Sequence, residues 1–522
     1  MMDSQVSRCS WILIVVFFAL FLGTACSGPG GNADSGAVPD GTIQPSGEET
    51  TTTNDSQPSE NEDGPLHMSS AEINDGALEK WTGDLDGMVE RGVIRALVVY
   101  SLTNYFLDGP TQRGATYEAL KEFEKYLNDK LGRRALKVHV VIIPVRRDQL
   151  LQSLEDGYGD LAAANLTITD ERQDTVAFSS PMATGVEELI VTAPGSPAIT
   201  SKDQLSGMRI HVRRSSSYWE SLQRLNDDLT GRGLQPVELV AAEEYLEDED
   251  LVEMVNAGHL PAIVMDSHKA RFWSEIFGDV VIQDEVPIRT NGEIAWAFRK
   301  DSPKLEAMIN SFITGHKQGT LFGNVLLKRY FENNVWVKNN LAGTDWARFE
   351  DTAEQFRKYG KQYDYDHLLL AALAYQESGL DQSKRSRAGA VGVMQMLPST
   401  ARDPNVGISD IDTLENNIHA GTKYLRFIHD RYFSDPDIPV QDQVFFTFAA
   451  YNAGPARVRQ LRSEAAAEGL DPNRWFGNVE VVAARRIGRE TVQYVSNITK
   501  YYIAYRQALT QLAQKEQMLD AG

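Results

Sequence analysis

Residues 366–379 read DHLLLAALAYQESG, and this stretch decides the fold of the C-terminal part of the chain. Asp366 stands before an apolar run, where an aspartate side chain accepts hydrogen bonds from the first backbone N–H groups of a helix. Gly379 stands after the run, where glycine commonly ends a helix. The sequence therefore predicts a helix over 367–378, with its leucines facing inward and Glu377 in its last turn.

The position of Glu377 also predicts its protonation state. The last carbonyls of a helix carry partial negative charge, which disfavours a carboxylate, and apolar neighbours add desolvation in the same direction. Both effects favour a neutral carboxylic acid near neutral pH, as a general acid on a glycosidic oxygen requires. A solvated acid at a helix end is the alternative for Glu377 taken alone.

Three further motifs follow in order along the C-terminal part. They are SRAGAVGVMQ over 386–395, AYNAG over 450–454 and ETVQYV over 490–495. Together with the E-S-G at Glu377, this ordered set resembles the soluble lytic transglycosylase family. The resemblance implies a lysozyme-like α-helical domain over 341–522, with peptidoglycan glycan strands as its substrate.

The resemblance also implies roles for individual residues. In that family one glutamate, which Glu377 matches, protonates the bond between N-acetylmuramic acid and N-acetylglucosamine. The same glutamate then deprotonates the 6-hydroxyl, which closes a 1,6-anhydro ring. Ser386 matches the family serine that contacts the acetamido group, and Tyr494 matches a tyrosine whose hydroxyl approaches the catalytic glutamate. The other positions that match the substrate-binding region are Gly389, Gly392, Met394, Gln395, Tyr451 and Asn452. Turn or cap chemistry is the alternative for the serine, the glycines and the asparagine, and core packing for the methionine and the tyrosines.

Two departures from the family pattern affect the loops. The usual proline after E-S-G is missing in Leu380–Ser383, and Val393 replaces a frequent leucine. A hydrolase ordinarily needs a second carboxylate at a fixed separation from the first, and the matched motifs supply none. Asp381 is close to Glu377 in sequence, so a lysozyme-like hydrolase stays open as an alternative.

Residues 81–340 alternate strand-like and helix-like segments. The β-rich runs Val93–Tyr100 and Val138–Ile143 flank a helical stripe over Tyr117–Leu131, and the rhythm restarts after about residue 187. This βαβ rhythm predicts a mostly parallel sheet with helices on both faces, in two lobes with a ligand cleft between them. Glu293–Phe298 reads as a late strand that returns to the first lobe.

Two short motifs in the first lobe are more specific. NLTITDER over 165–172 and FSSP over 178–181 resemble the periplasmic amino-acid-binding proteins of solute-binding family 3. In that family an arginine, matched by Arg172, grips a ligand carboxylate, and an acid, matched by Asp266, receives the ligand amino group. The hydroxyl contacts are matched by Thr167, Ser216 and Ser217. A salt bridge for Arg172, a cap for Asp266 and plain turns for the serines are the alternatives.

A solute-binding module in front of a lytic domain resembles the membrane-bound lytic murein transglycosylase F family. The resemblance implies a lytic transglycosylase with a cleft that senses a muropeptide or an amino-acid-like ligand. A binding protein with an inactive glycan-binding helical domain is the alternative from another class. We expect closure of the cleft to change access to Glu377 through a junction over Val335–Asp351, with Trp336 and Trp346 as packing anchors.

Composition excludes several function classes. The 522 residues carry 73 acids against 51 bases, a net charge of −22, so nucleic acid is an unfavourable partner. No P-loop, dinucleotide glycine pattern or paired metal-ligand spacing is present, so neither a cofactor nor a metal is expected.

The N-terminus reads as a targeting segment. The run WILIVVFFALFL over 11–22 has the length of a signal-peptide core, and small residues before Cys26 resemble a bacterial lipobox. Residues 1–26 are therefore predicted to be a lipoprotein signal with Cys26 lipidated, and residues 27–80 a disordered acidic linker. The expected location is the periplasmic side of the envelope, anchored in a membrane, with Ser27 favouring the outer membrane. An ordinary signal peptide or a short membrane anchor is the alternative.

Overall fold

A computed structural model describes residues 79–108, 111–134, 136–334 and 346–521. The predicted signal segment, Cys26 and the linker up to residue 78 lie outside the described residues. So do residues 335–345, which include Trp336, and the side chain of Trp346. The described part begins directly at the solute-binding-like region.

The N-terminal region is built on one twisted sheet. Its strands, together with the small β2–β3 hairpin, are β1 Val93–Val98, β2 Phe106–Asp108, β3 Thr111–Arg113, β4 His139–Pro144, β5 Leu161–Thr167, β6 Ala177–Phe178, β7 Ala183–Thr192, β8 Arg209–Val212, β9 Glu238–Ala241, β10 Ala262–Asp266, β11 Val281–Gln283 and β12 Arg289–Phe298. The strand order is β4-β1-β5-β12-β7-β10-β8-β9, with β6 added on β12 and β11 on β7. Pairing is parallel within β4-β1-β5 and within β10-β8-β9, as the βαβ rhythm predicts.

Helices cover both faces of this sheet. They are α1 Leu85–Glu90, α2 Ala115–Lys130, α3 Leu150–Glu155, α4 Asp170–Gln173, α5 Ser217–Gly231, α6 Asp248–Asn256, α7 Ser267–Ser274, α8 Pro303–His316 and α9 Leu321–Leu327. The amphipathic stripe predicted for Tyr117–Leu131 corresponds to α2, whose Leu120, Phe123 and Leu127 are fully buried.

Two long antiparallel strands join the lobes. β12 pairs with β5 of the first lobe and with β7, while β7 pairs with β10 of the second lobe. The predicted late strand therefore does return to the first lobe. The sequence indicated two α/β lobes, and the structure shows that these two crossing strands make their sheets continuous.

The Gly159-Asp160 pair anchors the first lobe from inside. Asp160 is 0% exposed and accepts hydrogen bonds from the guanidinium groups of Arg91 and Arg95. A side chain at residue 159 would meet Leu97 at 2.3 Å, so only glycine fits there. Gly159 and Asp160 therefore stabilise the fold of the first lobe.

The C-terminal region is helical. Its helices are α10 Trp346–Tyr363, α11 His367–Ser378, α12 Pro398–Arg402, α13 Leu414–Tyr432, α14 Val440–Ala453, α15 Pro455–Ala467, α16 Glu480–Arg486 and α17 Arg489–Ala521. Helix α11 has the predicted bounds. Asp366 caps it by accepting from the backbone N–H of Leu368, and Gly379 ends it with φ +73°.

The two regions share one apolar core. Tyr502, Tyr505 and Ala508 of α17 belong to the same buried cluster as Val141 and Ile143 of β4. The C-terminal helix therefore covers a face of the first lobe. None of the helices in the described ranges combines the length and apolar character needed to cross a bilayer.

Candidate active site and ligand cleft

Glu377 lies in the last turn of α11, one residue before the helix ends at Ser378. Its Oε1 accepts a hydrogen bond from the hydroxyl of Tyr494 on α17. Burial raises the pKa of Glu377 to about 7, and the Tyr494 hydrogen bond and the positive charge of Lys384 offset only part of that rise. A carboxyl group with such a pKa can donate a proton near neutral pH and take one back later in the same cycle.

Two tyrosines flank this carboxyl group. Burial first, and then the charge of Glu377, raise the pKa values of Tyr494 and Tyr451 well above the usual range. Both hydroxyls therefore stay protonated as hydrogen-bond donors. Tyr451 donates to the carbonyl oxygen of Met394 at 2.8 Å, which ties α14 to the loop beside the glutamate.

The side-chain amides of Asn417 and Gln382 hold the backbone of that loop in place. Asn417 of α13 is fully buried and accepts from the backbone N–H of Met394 at 2.8 Å, while its Nδ2 donates to the carbonyl of Val391 at 2.8 Å. Gln382 accepts from the N–H of Val393 at 3.0 Å. Gly392 has φ +78°, and a Cβ there would lie 2.5 Å from Asn417 Nδ2 and 2.6 Å from Gln382 Oε1. Glycine is therefore required at residue 392, and Gln382 braces the loop at the position where the family's usual proline is missing.

Ser386 and Gln395 shape the two ends of the loop. Ser386 Oγ accepts from the N–H of Ala390 at 3.0 Å, so its own hydroxyl proton can still be donated to a ligand. Gly389, with φ +84°, closes the turn by donating its N–H to the carbonyl of Ser386 at 3.0 Å. Gln395 has φ +47°, and its Nε2 donates to the carbonyl of Gly392 at 2.8 Å. The Gln395 side chain thus stabilises the loop from within.

The structure corrects the prediction for Met394. Its side chain is 0% exposed, and a Cβ added at Gly421 would lie 2.5 Å from its sulfur. A side chain without exposed surface cannot line a glycan groove, so Met394 supports the loop from the core side. Core packing, the alternative for this residue, describes the side chain.

Asn452 lies at the exposed end of α14. Its Oδ1 accepts a hydrogen bond of 2.7 Å from the hydroxyl of Thr491, the second residue of the ETVQYV motif. This bond joins two of the motifs that sequence alone could only place in order. The structure therefore brings Glu377, Ser386, Tyr451, Asn452 and Tyr494 into one region.

Two other acids of the helical region accept hydrogen bonds from nearby backbone N–H groups. Asp381 Oδ1 accepts from the N–H of Ser383 at 2.8 Å and from its hydroxyl at 2.6 Å, so this carboxylate stabilises a turn. Glu480 was missed by sequence reasoning: burial raises its pKa to about 7, and it accepts from the N–H of Gly477 at 3.1 Å. No local pattern marks Glu480, because its burial comes from tertiary packing.

The predicted ligand cleft brings its residues together, and they contact each other. Arg172 donates to the carbonyl of Thr167 in its own lobe and to that of Ser215 in the other lobe, both at 3.0 Å. Its Nε lies 3.7 Å from Glu220. Ser217 Oγ donates to Thr167 Oγ1 at 3.3 Å across the lobes. The guanidinium group expected to grip a ligand carboxylate is thus engaged by the protein in this conformation.

Asp266 sits deeper in the cleft. It is 2% exposed, and its Oδ2 accepts from Asn165 Nδ2 at 2.7 Å. Its Oδ1 is buried without a hydrogen-bond partner, which leaves an acceptor for a donor such as an ammonium group. Ser216 is turned away, because its hydroxyl donates to the carbonyl of Arg213 at 2.8 Å.

The cleft contains a further ion pair that sequence reasoning missed. Arg289, the first residue of β12, lies 3.4 Å from Glu188 on β7 and donates to Ser221 at 2.9 Å. Burial raises the pKa of Glu188, although Ser221 and Arg289 oppose the rise. The crossing of β7 and β12 produces this pairing, and one sequence does not reveal it. Within the described ranges, no group of three or more His, Cys, Asp or Glu side chains is arranged to hold a metal ion.

Polar contacts tie the helical region to both lobes. Lys500 of α17 lies 3.0 Å from Glu124 of α2, and burial lowers the pKa of Lys500 to about 8 while Glu124 opposes that shift. Further along α17, Gln511 donates to the carbonyl of Pro144 at 2.8 Å. Lys515 pairs with Asp250 of the second lobe at 2.6 Å.

The fold and the site define a class of protein: a solute-binding module joined to a transglycosylase domain. Residues 354–472 match the family model of the transglycosylase SLT domain, and residues 104–333 match that of the bacterial extracellular solute-binding proteins, family 3. The chain belongs to the membrane-bound lytic murein transglycosylase F family. It is therefore a lytic transglycosylase enzyme, which confirms the family, the fold class and the enzyme class expected from sequence.

Individual relatives agree along most of the chain. Membrane-bound lytic murein transglycosylase F of Pseudomonas fluorescens strain Pf-5 is 30% identical over 449 residues, which cover 82% of this chain and 87% of the relative. The protein of the same name from Desulfosudis oleivorans is 29% identical over 437 residues, covering 80% and 91%. Among solved structures, an ancestral arginine-binding protein bound to arginine matches 46% of this chain and 98% of its own, with 21% identity and a TM-score of 0.38.

Proposed function

We propose that Glu377 alone performs both proton transfers of a non-hydrolytic cleavage of peptidoglycan. The observation that carries this proposal is the Glu377–Tyr494 pair, a half-buried carboxyl group with a pKa of about 7 and a neutral hydroxyl as its hydrogen-bond partner. Asp381, the acid nearest in sequence, is occupied within its own turn.

The reaction balances without water. Glu377 gives its proton to the oxygen of the β-1,4 bond between N-acetylmuramic acid and N-acetylglucosamine, and the bond from C1 of the muramic acid to that oxygen breaks. The 6-hydroxyl oxygen of the same muramic acid then bonds to C1, and its proton passes to the Glu377 carboxylate. The products are a 1,6-anhydromuramic end and a free N-acetylglucosamine end, and Glu377 is protonated again.

In this proposal the surrounding residues bind and orient the glycan. Ser386 can donate to the acetamido oxygen, and Asn452, Gly392 and Gln395 shape the groove on either side. Tyr451 and Tyr494 hold the loop and the carboxyl group in place. The Met394 side chain contributes only packing.

Mass spectrometry of murein digested in heavy-oxygen water tests this mechanism. The full chain should release 1,6-anhydromuramic ends without heavy oxygen, whereas reducing ends with one heavy oxygen would establish hydrolysis. Asp381→Asn and Glu480→Gln serve as matched acid-to-amide controls. Both should still form anhydro ends, and loss of those ends in either variant would make that acid a second reacting group.

We further propose that the bilobal module binds a ligand with an amino group and a carboxylate, such as a muropeptide or an amino acid. The support is the buried unpaired Oδ1 of Asp266 together with the guanidinium group of Arg172. A ligand carboxylate would have to displace Glu220 and the Ser215 carbonyl from Arg172. Binding therefore requires the lobes to rearrange.

Helix α17 offers a route from that rearrangement to the active site. Tyr494 near its first turn contacts Glu377, while Gln511 and Lys515 near its other end contact the first and second lobes. A ligand alters the lytic rate only if it binds two lobe arrangements with different affinity. We propose that movement of the lobes shifts α17 and with it the Tyr494 hydroxyl.

Murein turnover with and without candidate peptides tests the coupling. A peptide that binds should change the rate of the native chain. Arg172→Ala should lose peptide binding, whereas Lys515→Met should keep binding and lose the rate response. If every peptide that binds leaves the native rate unchanged, the module is a docking domain.

For the envelope location we propose a signal over 1–26, lipidation of Cys26, a linker over 27–80, a binding module over 81–340 and a catalytic module over 341–522. The relatives' names describe those proteins as membrane-bound. Fractionation of cells that express the native chain or Cys26→Ser tests the anchor. The native chain should carry a lipid-modified N-terminal peptide in the outer-membrane fraction, and equal membrane recovery of Cys26→Ser would contradict lipid anchoring.

A further inference from the structure

Lys384 lies in the loop between α11 and the Gly392 turn, seven residues after Glu377. Its Nζ donates a 3.0 Å hydrogen bond to the backbone carbonyl of Glu377. The last carbonyls of a helix lack partners within the helix, and a cation is favoured at that end of the helix dipole. The ammonium group therefore fixes the turn that carries the general acid.

The backbone of Lys384 is fixed as firmly as its side chain. Its carbonyl accepts from the N–H of Gly392 at 2.9 Å and from Gln395 Nε2 at 3.3 Å, and its own N–H donates to the carbonyl of Asp381 at 3.2 Å. One residue thus joins the end of α11 to the glycine loop. The loop hydrogen bonds hold the Lys384 backbone, and the Glu377 carbonyl holds its Nζ.

Lys384 is also a charged neighbour of Glu377, whereas the two tyrosines beside Glu377 are neutral. Tyr494 of α17 and Tyr451 of α14 face Glu377 as neutral hydroxyls, because their pKa values are raised well above the usual range. On the loop, Arg385 pairs with Asp412 at 2.9 Å. On α10, which also packs against α11, Lys358 pairs with Glu415 at 2.6 Å. Besides Tyr494, Lys384 is the group that opposes the effect of burial on Glu377.

We propose that Lys384 is a positioning residue for Glu377. Its ammonium group stabilises the Glu377 carboxylate that forms in the first proton transfer. This inference rests on the proposed role of Glu377. A cation near Glu377 lowers the free energy of its carboxylate, so it favours the step in which Glu377 gives its proton to the glycosidic oxygen and the bond from C1 to that oxygen breaks. Because Lys384 is exposed, its effect on the carboxylate is screened by salt.

The pH profile of kcat/KM on purified murein tests this role. The full chain is compared with Lys384→Met, Lys384→Gln and Lys384→Arg. The profile should fall at high pH as Glu377 loses its proton. In the Met and Gln variants this fall should move up by roughly half to one pH unit at low salt. Lys384→Arg should restore it, and added salt should shrink the difference.

Lys423→Met is a matched control, because Lys423 Nζ donates to a backbone carbonyl, that of Val406 at 2.7 Å, elsewhere in the same region. It should leave the pH profile unmoved. An unmoved profile in Lys384→Met, recovery by Lys384→Gln as complete as by Lys384→Arg, or a change in KM alone would each overturn the proposal. Active Glu377→Gln would instead refute the proposed function itself.

Discussion

The active site and the interface between the lobes both shield acidic side chains from water, but the pKa of the acid is raised at the active site and lowered at the interface. At the interface, Arg147 pairs with Glu247 at 2.7 Å, and Asp248 lies 2.7 Å from both Arg213 and Lys269. Burial alone would raise the pKa of Asp248, but Lys269 and Arg213 outweigh burial and hold it well below its usual range. Glu377, with a tyrosine hydroxyl as its partner, keeps the pKa rise that burial produces.

The difference shows how to separate a structural acid from a reactive one. An acid with buried cationic partners stays ionised and stabilises the fold, because removing one partner leaves a charge without compensation. An acid whose hydrogen-bond partner is neutral and whose cationic neighbour is exposed to solvent keeps most of the pKa rise and holds a proton near neutral pH. Desolvation acts in the same direction on the pKa of Asp248 and on that of Glu377, so it does not by itself distinguish the two acids.

The largest expected effect is on catalysis. Glu377→Gln should lower the rate of murein cleavage by about 10²–10⁴-fold, because the amide cannot donate and then accept the proton. The measurement is release of soluble muropeptides, with circular dichroism to confirm that the variant is folded. Retention of more than a tenth of the native rate would contradict a reacting role for Glu377.

At the interface, Asp248→Asn should remove the carboxylate that pairs with the buried Lys269, and it should leave Arg213 with Glu247 alone at 3.6 Å. We expect it to lower the free energy of unfolding by about 3–5 kcal/mol, measured by urea denaturation of the full chain. Asp228→Asn removes an exposed partner of Arg232 and should leave the free energy of unfolding almost unchanged. Equal, small losses in both variants would refute the contrast between buried and exposed pairs.

Stability should respond to pH in opposite directions at the two sites. The folded pKa of Glu377 is raised, so its ionisation favours the unfolded chain increasingly between about pH 4.5 and pH 7. Glu377→Gln should therefore be more stable than the native chain by about 1–3 kcal/mol above pH 7, and the difference should vanish below about pH 4.5. The folded pKa of Asp248 is depressed, so its contribution is present at neutral pH and is lost as the pH falls through the acid range. Urea denaturation at a series of pH values checks both trends, and a Glu377→Gln variant less stable than the native chain at pH 8 would contradict the first.

The smallest predicted effect concerns the hydroxyl beside Glu377. Tyr494→Phe should lower the cleavage rate by about tenfold, the amount expected for one hydrogen bond to a charged group. It should also move the fall of the pH–rate profile upward, because the Tyr494 hydrogen bond lowers the pKa of Glu377. Tyr501→Phe removes a hydroxyl from the same helix and is the matched control. A Tyr494→Phe profile identical to that of the control would argue against this role.

Local signals predicted the frame of both sites well. The bounds of α11 follow from Asp366 and Gly379 alone, and α2 begins and ends close to its predicted stripe. Such signals are short-range, since caps, periodicity and turn residues act within a few positions. The late strand β12 was also placed correctly.

Long-range pairings were beyond one sequence. Glu188 and Arg289 meet only because β7 and β12 cross between the lobes, and the burial of Glu480 comes from tertiary packing. Met394 belongs to the SRAGAVGVMQ motif, which predicted a groove-lining residue, yet its side chain packs in the core. A motif position therefore identifies a loop more securely than it identifies the side chain that contacts substrate.

The central claim is that burial beside Tyr494 holds Glu377 protonated at neutral pH. Carbon-13 NMR of the full chain labelled at glutamate carboxyl groups, compared with labelled Glu377→Gln, isolates the Glu377 signal across a pH titration. The account predicts a midpoint near pH 7 for Glu377. A midpoint near the ordinary glutamate value of about 4.3 would contradict it.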